Sequence, residues 1–423
     1  MAHSGRAPRL IIAVSAALLI GYAGFWAHVS HVQIGRSDFT NAYVGGTLLR
    51  EGHRADLYDD QLQGALHAQL IAPDKEGNLP FVDAPVAAAI VLPLTWLDLG
   101  TAFRVWSLVE FAVLVFAVVV AIRAAPWPAG TRQRWKAAAG AAALAGAGTV
   151  TMWLQAQWTP IVALGLAAAF WLWRGDRLAA GSAVLVASAA IAKPHLALGV
   201  FAFMLGWRNR RVVAGAVAGA LAVAVASLAV VGTGGIAGFI GVTIGGFTRW
   251  ELRVMPSFAG IAGTYLGTGG AAMVAAAAGA LGACAAAWWL GSRVRQDRGQ
   301  LGIALCGATV LSLLAAPHAY AHDLVLLAPV LVWSVAVATP PASTRVAVRS
   351  PLAAVFSLWA CLTGVELLDP GITAPVPPGE AAALVLIGAA TLACAAVHIR
   401  YRASREATLG AVADDVRRRR PAE

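Results

Sequence analysis

Charge is scarce in this chain. Asp, Glu, Lys and Arg make up 12% of its 423 residues, where soluble domains carry about 25%, so little of it can face bulk water as a solvated surface. Lysine is rarer still, occurring only at Lys75, Lys136 and Lys193. The four cysteines, Cys284, Cys306, Cys361 and Cys394, lie inside apolar runs with no CxxC spacing and no His/Cys cluster. That excludes a disulfide framework and a structural zinc site, and leaves them as small apolar residues. Apolar residues, by contrast, make up 59% of the chain, and its mean hydropathy is +0.72. Runs long enough to cross a ~30 Å hydrocarbon core recur from end to end. The expected class is an all-α polytopic membrane protein: one integral domain over residues 1–402, then a basic, disordered cytoplasmic tail over 403–423.

The formal charge of +10 is no sign of nucleic-acid binding, because the basic residues sit in short clusters between apolar runs, as the positive-inside rule describes. The tail run Arg417–Arg420 suits contact with anionic membrane lipid. Abundant alanine and the preference for arginine over lysine resemble the usage of a GC-rich bacterial genome, which makes a bacterial inner membrane the expected location.

Charge asymmetry sets a topology. With Arg6 and Arg9 cytoplasmic, the first span is Leu10–His28, a cleaved signal peptide being the alternative that the missing small-x-small site disfavours. The polar stretch 29–80 then lies outside. The next apolar segment, Phe81–Leu97, is short and carries Asp83, Pro85 and Pro93. If it crossed, the basic loop 123–136 would be placed outside. It is therefore read as re-entrant or interfacial, making 30–100 an outer-face loop with juxtamembrane helices. Further spans follow at 101–122, 137–154, 159–173, 178–192, 195–207, 212–231, 271–290, 301–316, 324–338, 351–368 and 380–398, so the expectation is about twelve transmembrane segments. This scheme puts 23 of the 31 lysines and arginines on the cytoplasmic side. Segments 178–192 and 195–207 are short and form a hairpin whose tip is Lys193-Pro194-His195. A lysine at membrane depth is a functional candidate by default; the plainer alternative is an anchor that snorkels to the outer interface.

On this topology the unusual polar residues gather on the outer face: Asp38, Asp56, Asp59, Asp83, Gln155, Gln157, Lys193, Arg249, Arg253, His318, His322 and Asp323. Carboxylates supply a general base, cations hold an anionic group, and histidines donate or accept. Asp38 lies a few residues beyond the first span, placed either to take a proton from a hydroxyl at the bilayer surface or to N-cap the helix through Tyr43. The cluster from Pro317 to Asp323, with His318, Tyr320 and His322, reads as an interfacial belt or as part of a site. Gln155 and Gln157 read as a solvated helix start or as ligand contacts. Trp158 and Trp250 read as interface residues.

In order, Asp38-Phe39 with Tyr43, Gly52 through Leu57-Tyr58-Asp59, Pro85 and Pro93, Gln157, Lys193-Pro194, and His318-Ala319-Tyr320 with His322-Asp323 resemble glycosyltransferase family 87. This family of multispan GT-C enzymes includes bacterial alpha-mannosyltransferases. The resemblance runs from about Leu10 to Trp333. It implies a GT-C fold, a polyprenyl-monophosphate sugar donor, and transfer on the outer face with inversion and without an obligatory metal or other cofactor. In similar enzymes an aspartate just after the first span is the base, matching Asp38, and a late histidine is important, matching His322 or His318. The chain departs from the family where a Tyr-Pro-Pro is usual, having Phe81-Val82-Asp83-Ala84-Pro85, and where a Gly-Gln is usual, having Ala156-Gln157.

The resulting expectation is an integral membrane hexosyltransferase that moves a sugar, mannose foremost, to a lipid or glycan acceptor at the periplasmic or exterior face. Asp38 is the expected base, and Lys193, with Arg249 and Arg253, the expected phosphate site. Tyr43, Tyr58, Asp83, Gln157, Tyr320 and Asp323 are the expected substrate lining. The rival is a transporter or flippase of a lipid-linked sugar, since ionisable residues at depth also mark substrate pathways. Against it, the broken hairpin at Lys193 has no counterpart in a second half.

Overall fold

The computed structural model describes residues 6–73, 80–146, 148–245, 252–339, 349–368 and 378–418. Its described part is built from helices and connecting turns, with no strand. The first span, α1 (Arg6–Ala27), leads into three short helices, α2 (His31–Gly35), α3 (Asp38–Arg50) and α4 (Asp60–Ile71). Two of them are started by local side chains: Ser30 and Gln33 form a capping box on α2, and the Asp59 carboxylate accepts from the backbone of Gln61 and Leu62 at the head of α4. Next come α5 (Pro85–Val91), which runs on into the 3-10 turn Leu92–Trp96, then α6 (Leu99–Ala124), α7 (Gln133–Leu144), α8 (Thr149–Gln155), α9 (Thr159–Arg174) and α10 (Leu178–Ala192). The 3-10 turn Pro194–Ala197 enters α11 (Leu198–Trp207), followed by α12 (Arg210–Gly245), α13 (Phe258–Leu266), α14 (Gly270–Gln296) and α15 (Leu301–Ala315). The 3-10 turn Ala321–Leu326 opens α16 (Leu327–Ala338), and α17 (Arg349–Leu368) and α18 (Pro378–Arg418) complete the chain. α18 is helical past residue 402, the boundary read from the sequence.

Among the described residues seven helices are long and apolar enough to cross a membrane, and the bent pair α7–α8 makes up to eight. The protein is thus a polytopic membrane protein, with fewer full-length spans than the twelve segments read from the sequence. The difference has a geometric cause. The segments at 159–173, 178–192 and 195–207 do form apolar helices, but each has only 10–17 residues, and at 1.5 Å per residue these fall short of ~30 Å. Pro85–Trp96 is shorter still, in keeping with a segment that does not cross. α12 breaks at Gly232, whose φ of 68° is non-helical, one residue beyond the end of the predicted span 212–231.

Helices pack through small residues. On α12, a Cβ at Gly215 or Gly219 would run into the backbone of Ala179 and Ala183 on α10, so the two backbones meet almost directly. At one end of the bundle Asp176, after α9, takes Arg298 at 2.9 Å and Arg211 at 3.7 Å. Three loops that the charge pattern put on one side are therefore on one side. The Asp38, Lys193 and His322 segments fall at alternate connections and meet elsewhere.

Candidate functional site

Asp38 is the first residue of α3, with Ser37 as its N-cap residue, and its carboxylate does not cap the helix. Gln157 donates from Nε2 to Asp38 Oδ2, and the Asp38 backbone N–H donates to Gln155 Oε1 at 3.3 Å. The capping alternative is therefore replaced by a long-range contact. Among the described residues Oδ1 has no partner, and the positive end of α3 favours the ionised form. Gln157 is 1% exposed, so it is not a solvated helix start. Its position depends on Ala156, which ends α8 in the left-handed region (φ 50°, ψ 56°). Glycine reaches that conformation without the Cβ penalty of about 1–2 kcal/mol.

Lys193 ends α10 and turns inward, against the snorkelling alternative. Its Nζ donates to Asp323 Oδ1 at 2.8 Å and to His322 Nε2 at 3.1 Å, and its side chain is 11% exposed while that of Asp323 is fully buried. An ammonium only donates, so His322 Nε2 must be an acceptor with the ring proton on Nδ1. Asp323 also accepts from Thr159 Oγ1 at 2.6 Å and, through Oδ2, from the Tyr320 backbone N–H at 3.0 Å. Two of the three ammonium hydrogens are thereby committed, and the third has no partner among the described residues.

The turn from α8 to α9 holds both halves together: Gln155 and Gln157 grip Asp38, and Thr159 grips Asp323. The aromatic rim follows the same convergence. His318 lies 5.4 Å from the His195 ring and 4.8 Å from Tyr320, which is 5.7 Å from His322. Gly148 (φ 89°) lets the start of α8 lie against this turn, since a Cβ there would stand 2.6 Å from the Val325 nitrogen and 2.8 Å from the Ala321 carbonyl.

Electrostatics set Asp38 and Asp83 apart from ordinary surface acids. Burial raises the Asp38 carboxyl above the ordinary carboxylate range, the Lys193 charge pulls against that, and Asp323 adds to the rise. Burial lifts Asp83 to about 7, with Lys193 opposing and Asp38 adding. His318 is lowered to about 4, by burial first and then by Lys193, with Asp323 opposing. Asp38, Asp83, Lys193 and Asp323 thus act on one another as a single cluster. Among the described residues no three His, Cys, Asp or Glu side chains converge as a metal ligand set.

The model of glycosyltransferase family 87 matches residues 81–317, more than half of the chain. The protein belongs to glycosyltransferase family 87. No curated protein and no solved structure matches it significantly. Membership makes this protein a membrane glycosyltransferase, and the transporter reading is set aside. The matched stretch of this family 87 member contains Asp83, Gln157 and Lys193, and stops just short of His318.

Other expected residues have different placements. Tyr43 is 5% exposed and its hydroxyl donates to the Leu97 carbonyl at 2.6 Å. Tyr58, 7% exposed, stacks on Phe81 and donates to the Asp83 carbonyl at 2.6 Å. Both brace the outer segment, and Tyr58 fixes the backbone from which Asp83 projects. Arg253 is exposed on the 3-10 turn Leu252–Val254, which packs on α13 and α18. Arg249 and Trp250 lie outside the described residues. Trp158 is buried at 2% with its ring 4.7 Å from Trp106, so it is a core residue and not an interface one.

Three polar residues of this region were not singled out from the sequence. Thr159 gave no signal beyond its neighbour Pro160. His195 was seen only as part of the hairpin tip. Glu110 sits one turn below Trp106 on α6, fully buried, with both carboxylate oxygens unpartnered among the described residues. A lone acid in the run 101–122 was the available signal.

Proposed function

We propose that this enzyme, folded as a GT-C transferase, moves a sugar, mannose foremost, from a polyprenyl-monophosphate donor to a hydroxyl of a lipid or glycan acceptor at the outer face of a bacterial inner membrane. The observation that carries the reading is the five-residue turn 155–159, which holds a carboxylate with a spare oxygen, Asp38, and the ion pair of Lys193 with Asp323 in one site. Asp38 Oδ1 takes the proton of the acceptor hydroxyl as its oxygen attacks the anomeric carbon. The bond from that carbon to the phosphate oxygen breaks, and the phosphate departs with the electron pair. Displacement from the opposite face inverts the anomeric configuration.

The remaining Lys193 hydrogen meets the phosphate as charge grows on it, while Asp323 and His322 keep the ammonium in place. A phosphate is an acidic leaving group, so one carboxylate suffices where glycoside hydrolysis requires two. The raised affinity of Asp38 for protons suits a base working near neutrality. Gln157 and Gln155 hold Asp38, and His318 and Tyr320 form the aromatic edge beside the sugar. Arg249 and Arg253 are proposed as outlying cations that attract the donor.

The test is transfer of radiolabelled sugar from polyprenyl-phosphate mannose, glucose and arabinose to endogenous lipid in membranes containing the protein. Transfer from one donor, with inverted product, is expected. Failure with all three, alongside transfer from a nucleotide-activated sugar, would overturn the donor class.

A further inference from the structure

Away from this site, helices α7, α15, α16, α17 and α18 line a partly open cavity of about 690 Å³, within the range of true ligand pockets. Its walls are mostly aliphatic and rich in alanine, including Ala328, Ala354, Ala389 and Ala393, with the Trp359 indole among them. Along α18 it extends from Leu386 to Arg400, about 21 Å at 1.5 Å per residue. The occupant must therefore be narrow, apolar and elongated, and water is a poor one for an apolar space.

The two ends of the cavity differ. One end is closed by Leu324 and Gly146, and none of Lys193, His318, His322 or Asp323 lines it. At the other stand Ser334, Thr339 and Arg400, and among the described residues no acidic side chain lines the cavity. The hydroxyls of Thr339 and Ser334 already donate, to the Val335 carbonyl at 2.7 Å and to Cys306 Sγ at 3.6 Å, which leaves the Arg400 guanidinium as the charged feature of that mouth. Arg293 stacks over the neighbouring Tyr401 at 4.2 Å, and exposed Arg402 adds a further cation.

We infer that the cavity holds one acyl chain of an anionic phospholipid, with its phosphate at Arg400. A cationic mouth on an apolar channel between helices is what such a lipid fits. The polar mouth lies at the end remote from Lys193, so the occupant is not the donor in its reacting position. The chain tip lies against Leu324, the residue after Asp323, and Leu327, so the lipid backs the turn that holds the site. This inference does not depend on the identity of the transferred sugar.

The full chain, purified and progressively delipidated, should retain one phospholipid detectable by mass spectrometry of the intact protein. Titration of delipidated protein with phosphatidylglycerol and phosphatidylcholine of matched chains should favour the anionic lipid. Arg400→Gln, a change at an exposed side chain, should weaken phosphatidylglycerol binding about fivefold and phosphatidylcholine binding less, because the choline offsets the charge of the phosphate. Ala389→Phe fills the channel and should abolish retention of both. Equal retention in wild type and both variants would overturn the inference, as would retention of a polyprenyl phosphate in place of a phospholipid, or retention of no lipid by wild type.

Discussion

Lys193 and Asp323 form a buried pair in which each charge depends on the other. Removing one partner strands its mate in low dielectric, which costs about 3–5 kcal/mol, whereas replacing both by apolar residues is often neutral. Lys193→Met is therefore expected to lower thermal stability sharply, and the double variant Lys193→Met/Asp323→Leu to recover most of it while staying inactive. A double variant no more stable than Lys193→Met, in melting curves of the detergent-solubilised protein, would show that the pair is not the stabilising unit. Asp83 makes a pH-dependent contribution of the opposite kind. Its folded carboxyl titrates at about 7, against about 3.9 when unfolded. Between those values the folded chain holds a proton that the unfolded chain has lost, so stability falls as pH rises through that window and levels off above it. Asp83→Asn should flatten this fall, giving a protein more stable than wild type at pH 8 and similar at pH 4. The same melting curves taken across pH would refute it if the two slopes were equal. At this scale the sequence was informative: Asp38, Lys193, Gln157 and His322 could each be named from residue type and side of the membrane. Thr159 could not, because a threonine at a helix start carries no distinguishing pattern until Asp323 is seen beside it. The hydroxyls of Tyr43 and Tyr58 bind backbone carbonyls, partners that no side-chain pattern reveals.

The element that organises the site is the short turn between α8 and α9. Two backbone positions near it have opposite requirements. Ala156 occupies the left-handed region without being glycine, so Ala156→Gly relieves strain and should keep activity, with stability unchanged or raised by up to about 1 kcal/mol. Gly148 combines a left-handed φ with close approach to the 321–326 turn. Gly148→Ala must push that turn away, and a loss of at least about tenfold in transfer rate is expected, since small displacements of a positioned group are costly. Measuring both variants in one transfer assay checks the assignment, and equal activities would contradict it. The sequence announced the helical segments but not their lengths, because hydropathy marks where a run is apolar and not where a Gly232 or an Ala156 ends the helix. It also missed that the break between α7 and α8 serves the site.

At the scale of the whole molecule, alternation of the connections separates two faces. The Asp176, Arg211 and Arg298 loops meet on one, while the segments of Asp38, Lys193 and His322 converge elsewhere. Single cysteines placed in a cysteine-free background at exposed Asp60 and at exposed Arg177 should react with an impermeant thiol reagent from opposite sides of the membrane, Asp60 from outside. Labelling of both from one side would break the topology. That the Asp176, Arg211 and Arg298 loops share a side was legible in the sequence because arginine is concentrated in alternate loops, and their meeting at Asp176 follows that pattern. The convergence of α3, the 155–159 turn, the end of α10 and the 321–326 turn was legible only as a shared side. Contact between residues more than a hundred positions apart depends on helix tilt and packing, which periodicity does not encode. The most direct test of the proposed chemistry is single-turnover transfer from the polyprenyl-phosphate donor by wild type and Asp38→Asn at equal expression and equal donor binding. A drop of about 100-fold or more in the rate of transfer, with donor affinity unchanged, is the predicted result; a rate within a few-fold of wild type would contradict the assignment of Asp38 as the base.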